Sequence, residues 1–177
     1  MIEGDGVRIR RARRDDLPFL LELVTDDDVQ PFLAGGAAFA AQSVEEELAR
    51  QEAEPEAFGR FVIEVQEDGT WLPAGTMGFH RLNARSRIAR LERLAVHPRF
   101  RGRRLADEAA RLLQGHLIFD LGYHRLEMEI YGFNERAQRH AERAGFVREG
   151  VKRKAYLRHG DWTDGVLYGL VREDLEQ

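Results

Sequence analysis

Residues 91 to 113, "LERLAVHPRFRGRRLADEAARLL", constrain the fold more than any other stretch. An alternating apolar run reaches Pro98, passes Arg99, Arg101, Arg103 and Arg104 around Gly102, and turns helical, with Leu105, Ala109, Leu112, Leu113, Leu117 and Leu121 on one stripe. The pattern predicts a strand, a tight turn and a long amphipathic helix closed by Gly122. Such a turn presents unpaired backbone N–H groups at the positive end of a helix dipole, which together make an anion site. The four arginines add to the local field, so a phosphate-bearing ligand is expected. Gly102 is followed by no second glycine and no Lys-Ser or Lys-Thr pair, so neither the standard nucleotide loop nor the dinucleotide fingerprint fits.

The flanking elements set the fold class. "VRIRRA" (7 to 12) alternates as a first strand, and "RDDLPFLLELV" reads as a helix entered through Asp15. "TDDDVQPFLAGGAAF" breaks that helix at a proline and a glycine pair. Ser43 and Glu46 stand at capping-box spacing, predicting a helix start at Ser43. Two strands follow around Asp68 and Gly69, then a third over "RIARLERLAV". Beyond the long helix, "HRLEMEIYG" alternates Leu126, Met128 and Ile130 against Glu127, Glu129 and Tyr131. A short helix with Asn134 as N-cap and Gly145 as stop precedes two strands joined near "HGDW". Helices separate only some of the strands, so an α/β (α+β) domain with a mixed, mostly antiparallel sheet is expected over residues 1–177.

Composition narrows the function. The chain of 177 residues has 43% hydrophobic and 33% charged residues, as a globular domain does. It contains no cysteine, so disulfides, thiolate metal sites and a cysteine nucleophile are excluded. The net charge of −4 argues against general nucleic-acid binding, and no second basic strip interleaved with aromatics accompanies the arginine turn. No membrane-length apolar run or signal core is present, so a cytoplasmic location is expected. No metal-ligating pattern is found.

The turn resembles that of the GNAT superfamily of acyl-CoA-dependent N-acetyltransferases, in which "V-x-P" leads into "R-G-x-G-x-G/A". The matching residues are Val96, Pro98, Arg101, Gly102, Arg103, Arg104, Leu105 and Ala106, with Arg104 in place of the second glycine. "NERAQRHAERAGFVREG" is similar to the family's "N-x-x-A/S … G-F-x-x-E-G" segment, and both chain ends look like the branch of ribosomal-protein N-terminal acetyltransferases. The resemblance implies about seven strands flanked by about four helices. It also implies that the fourth and fifth strands, 88 to 96 and 125 to 131, splay apart to admit the pantetheine arm of acetyl-CoA. Cofactor contacts are then expected from Leu94, Ala95 and Val96, from residues 101 to 106, and from Asn134. The partners implied are acetyl-CoA and an amine acceptor; a homodimer is a family-level expectation.

Acetyl transfer needs an uncharged amine, hence a base. Glu92 is the leading choice, placed by strand alternation on one face with Leu94 and Val96, where apolar surroundings would raise its pKa. The alternative is an ion pair with Arg90 or Arg93. His80 offers a second proton shuttle. The tyrosine acid of many relatives is absent, His140 and Ala141 standing in its place, and no general acid is assigned among Tyr131, Tyr156 and Tyr168. A non-catalytic acyl-CoA sensor is the alternative function.

Overall fold

In the computed structural model, which describes residues 1–32 and 37–176, the chain begins with β1 (Ile2–Glu3), β2 (Val7–Arg11), α1 (Leu17–Thr25) and α2 (Ala37–Ala53). β3 (Phe58–Glu67), β4 (Thr70–Asn83), β5 (Ile88–Val96) and α3 (Leu105–Gly115) follow. β6 (Arg125–Tyr131), α4 (Glu135–Arg143), β7 (Val147–Arg158), β8 (Asp161–Val171) and α5 (Arg172–Leu175) complete it. The strands form one sheet in the order β1-β2-β3-β4-β5-β6-β8-β7. Every pairing is antiparallel except that of β5 with β6. The mixed sheet is the expected one, with the two-residue β1 and the one-turn α5 in addition.

Local chemistry explains the hairpins. Asp68 and Gly69 take φ of 49° and 77°, and His159 and Gly160 take 52° and 83°. Paired left-handed residues match the right-handed twist of the strands they join. Alternation then sorts the two faces. Phe61, Ile63, Leu91, Leu126 and Met128 face Leu105, Ala109, Leu113 and Leu117, whereas Val62 faces Leu20 and Val24 of α1 and Val44 and Leu48 of α2.

Three expectations shift at helix ends. α2 starts at Ala37, so Ser43 lies inside the helix and is not its cap. The run "AAFAAQ" carries high helix propensity upstream of the capping signal and extends the helix past it. The first helix begins at Leu17 after a 3₁₀ turn over Arg14–Asp16, so Asp15 lies in that turn and Asp16 is the N-cap. The long helix changes to π-helix over His116–Asp120, where the adjacent Leu117 and Ile118 are both fully buried. The glycine pair at 35 and 36 lies outside the described residues. Among the described residues, no helix is long and apolar enough to cross a membrane.

Two irregularities position the site. β5 and β6 pair only at Ile88 with Arg125, Ala89 with Leu126 and Arg90 with Glu127. Beyond those residues the strands continue without a ladder between them, which is the expected splay. β5 also bulges: Thr76 faces Ala95 and Gly78 faces Glu92, so Arg93 and Leu94 share the place opposite Met77. Arg93 absorbs the extra residue with φ of 58°. β4 lies so close here that a Cβ on Gly75 would meet the Ala95 carbonyl oxygen at 2.5 Å.

The bulge overturns the face assigned to Glu92. Leu94 and Val96 pack with Ala89 and Leu91 on the α3 side, while Ala95 packs with Leu23 and Val29 on the α1 side. Glu92 points to the α1–α2 side, toward His80. Simple alternation fails because one inserted residue inverts the parity of everything after it.

Candidate active site

The arginine turn ends in a left-handed residue. Arg104, the residue before α3, has φ of 57° and ψ of 20°. This is the backbone that glycine adopts freely and that other residues adopt at a cost of roughly 1 kcal/mol. Arg104 thus takes a glycine-like backbone conformation, and the residue is exposed to solvent. The Arg101 N–H is taken by the Pro98 carbonyl and the Asp107 and Glu108 N–H groups by the Arg104 carbonyl, which leaves the N–H groups of residues 102 to 106 at the helix start as the donors for an anion.

The arginines contribute unequally. Arg99 and Arg103 both bind Glu67, the former at 3.0 Å, and Arg101 donates to the Val96 carbonyl and to Asp28, each at 3.2 Å. Much of the expected cationic field is thus neutralised by pairing, and the anion site rests chiefly on main-chain donors.

From this turn a cleft of about 560 Å³ runs between the parted strands. Glu92, Leu94, Ala95, Val96, Arg101, Gly102, Arg104, Leu105, Ala106 and Asn134 all line it. Arg103 does not, because its guanidinium is drawn to Glu67 and over the Phe100 ring. Asn134 Oδ1 accepts from Ala137 N at 3.1 Å, realising the cap.

The cleft also holds a pair that sequence reading passed over. His140 is 5% exposed, its Nδ1 lies 2.7 Å from Asp107 Oδ1, and its Nε2 is buried without a hydrogen-bond partner. Arg143 donates to both Asp107 oxygens, at 2.9 and 3.2 Å. Burial pushes the His140 pKa down, more than the Asp107 hydrogen bond and charge raise it, so the net value is below the ordinary 6.5. The neutral ring directs its one N–H at Asp107. A depressed histidine pKa favours the folded state above the unfolded value and loses that stability as pH falls through the folded value. The urea midpoint is therefore expected to drop as pH is lowered below about 6.5, with a shallower drop in His140→Gln.

A second cavity of about 300 Å³ opens between α2 and strands β3 to β5, lined by Ser43, Glu46, Glu47, Arg50, Phe58, His80, Glu92 and Arg93. His80 Nδ1 lies 3.0 Å from Glu92 Oε1, and Arg93 Nε lies 3.5 Å from the same oxygen. Burial raises the Glu92 pKa, but the His80 hydrogen bond and charge, with Arg93, outweigh it and hold the carboxyl below its ordinary value. The expected upward shift is thereby reversed, because the bulge turns Glu92 away from the apolar face. Arg90 pairs instead with Glu129 at 3.3 Å and Glu127 at 3.8 Å.

Behind Glu92, buried Glu47 meets Arg60 at 3.0 Å and Arg93 at 2.5 Å. Here burial dominates the attraction of both arginines and pushes the carboxyl up. The sequence signal was present: Glu47 and Gln51 interrupt the apolar stripe of Val44 and Leu48 on α2. Of the tyrosines, Tyr168 belongs to the core and Tyr156 donates to Glu129, which pushes its hydroxyl up to about 12. Tyr131 lines the cleft and stacks on Phe133.

A mixed sheet parted between two parallel strands, with a phosphate-type turn at one end of the gap, is the architecture of GNAT proteins. The spermidine N-acetyltransferase of Vibrio cholerae, solved with CoA and spermine, superposes at a TM-score of 0.81 and 19% identity, covering 97% of this chain and 99% of that one. RimL, a ribosomal L7/L12 alpha-N-protein acetyltransferase solved with coenzyme A, gives 0.80 and 18% over 95% of each chain. Residues 7–147 match the acetyltransferase (GNAT) domain family model, and the chain belongs to that family. The SPbeta prophage-derived uncharacterized N-acetyltransferase YokL of Bacillus subtilis (strain 168) is 32% identical over 83 residues, 47% of either chain. The chain spans about half the length of the curated relatives it matches.

Proposed function

We propose that residues 1–177 act as one acetyl-CoA-dependent N-acetyltransferase domain in the cytoplasm, moving an acetyl group to a primary amine by direct transfer in a ternary complex. The acceptor class at this level is a protein N-terminus or a small-molecule amine. The observation that carries the reading is the junction of the two cavities, since Glu92 and Arg93 line both. A donor laid along the splayed strands and an amine in the second cavity meet there.

The residues fit coenzyme A. Main-chain donors of 102 to 106 suit its pyrophosphate, and the unladdered edges of β5 and β6 suit an extended amide-bearing arm. Asn134 and Leu94 to Val96 flank that arm. Acetyl-CoA supplies an activated acyl carbon whose thiolate can leave. Glu92 accepts a hydrogen bond from the incoming ammonium, and with His80 takes its proton. The amine nitrogen then bonds to the acyl carbon, the C–S bond breaks, and the second proton leaves the nitrogen through solvent while the departing thiolate takes one up, giving the amide and free CoA thiol.

The test is calorimetry with CoA followed by a thiol-release assay with acetyl-CoA and a panel of amines and N-terminal peptides. Saturable binding with amine-dependent thiol release is expected. Absence of binding rejects the reading; binding without release supports an acyl-CoA sensor instead.

A further inference from the structure

We propose that the acceptor is a small zwitterion, an amine carrying a carboxylate a few bonds away as in a free amino acid, held in the cavity between α2 and strands β3 to β5. This rests on the acetyltransferase reading and narrows it. The lining sorts into an ammonium end and an anion end. Glu92 stands at the junction with the cofactor cleft, and behind it buried Glu47 is ion-paired with Arg93 at 2.5 Å and Arg60 at 3.0 Å. The Glu92 carboxylate, which lines both cavities, suits an ammonium N–H.

The cations decide the rest. Glu46, Glu47 and Glu92 contribute three carboxylates to the lining, Arg50 and Arg93 two guanidiniums, and Arg60 backs Glu47 at 3.0 Å. The charges balance, so the cavity has no excess field with which to concentrate a polycation. Arg93 is committed to Glu47 and Glu92. Arg50 is not: it meets exposed Glu54 at 3.9 Å, and its guanidinium lies over the Phe58 ring at 4.6 Å. The ring orients the fork while leaving its N–H donors open, the arrangement that receives a carboxylate. At about 300 Å³ the cavity suits a small acceptor rather than a long one.

The experiment uses the full chain with acetyl-CoA and compares free amino acids, their decarboxylated amines, spermidine and a short N-terminal peptide by thiol release. Some amino acid is expected to exceed its own decarboxylated amine by roughly tenfold or more in kcat/KM, the order of one charge-assisted contact. Arg50→Gln should shrink that advantage, by raising KM for the amino acid more than KM for its decarboxylated amine, and be partly rescued by Arg50→Lys. Equal rates for the two partners of each pair, or preference for spermidine or the peptide, overturns the zwitterion while leaving the acetyltransferase reading intact. Failure of thiol release with every amine overturns both.

Discussion

Glu92→Gln is expected to lower kcat by about a hundredfold or more, the usual scale for removing a positioned base, with CoA affinity by calorimetry unchanged. Glutamine keeps the shape of the side chain but cannot take a proton, and its amide N–H groups face donors it should accept from. Glu92 meets the cofactor cleft only at its junction with the second cavity, so the pyrophosphate turn is untouched. The pH profile gives an independent check. His80 and Arg93 hold the carboxyl below its ordinary 4.5, so the acid limb due to Glu92 falls below about pH 4.5, not near neutrality. A variant with unaltered turnover at every pH would remove Glu92 from the chemistry.

Arg60→Ala is expected to cost about 3 to 5 kcal/mol of stability, the range for leaving one member of a buried ion pair behind. Arg60 is 2% exposed and Glu47 6%, so little solvent is at hand to soften the loss. Arg93 remains beside Glu47 but is itself half exposed, and it cannot replace a guanidinium enclosed by the sheet and α2. The urea midpoint measures the effect. Burial already pushes the Glu47 carboxyl up, and losing Arg60 pushes it further. A carboxyl raised in the folded state favours folding at low pH and loses that contribution as pH rises through the folded value. The deficit should therefore shrink on acidification. The double variant Arg60→Met, Glu47→Leu should be more stable than Arg60→Ala, because no charge is left unpaired.

The two predictions fall on residues of different legibility. Glu92 was visible in the sequence because it sits in the strand before a turn whose chemistry is local. Its orientation was not, since the bulge at Arg93 depends on how closely β4 approaches through Gly75. Glu47 announced itself only as a charge on an apolar stripe, and nothing in the chain named Arg60 as its partner across the helix and sheet. Asp107 and His140 lie 33 positions apart, and no spacing rule joins them. Asn134 was read as cap or cofactor ligand: its oxygen caps α4, and the residue lines the cleft.

What the sequence determined alone were the features written in short range. These are the strand-turn-helix at 91 to 113, the hairpin turns at Asp68-Gly69 and His159-Gly160, and the alternation that builds a mixed sheet. Each follows from periodicity or from the backbone freedom of a few residues. Only the tertiary structure decided which face Glu92 takes, which arginines are spent on Glu67 and Asp28, and which carboxylates share a cavity. Those outcomes depend on distances between elements far apart in the chain, where one inserted residue or one close strand approach reverses what local pattern implies.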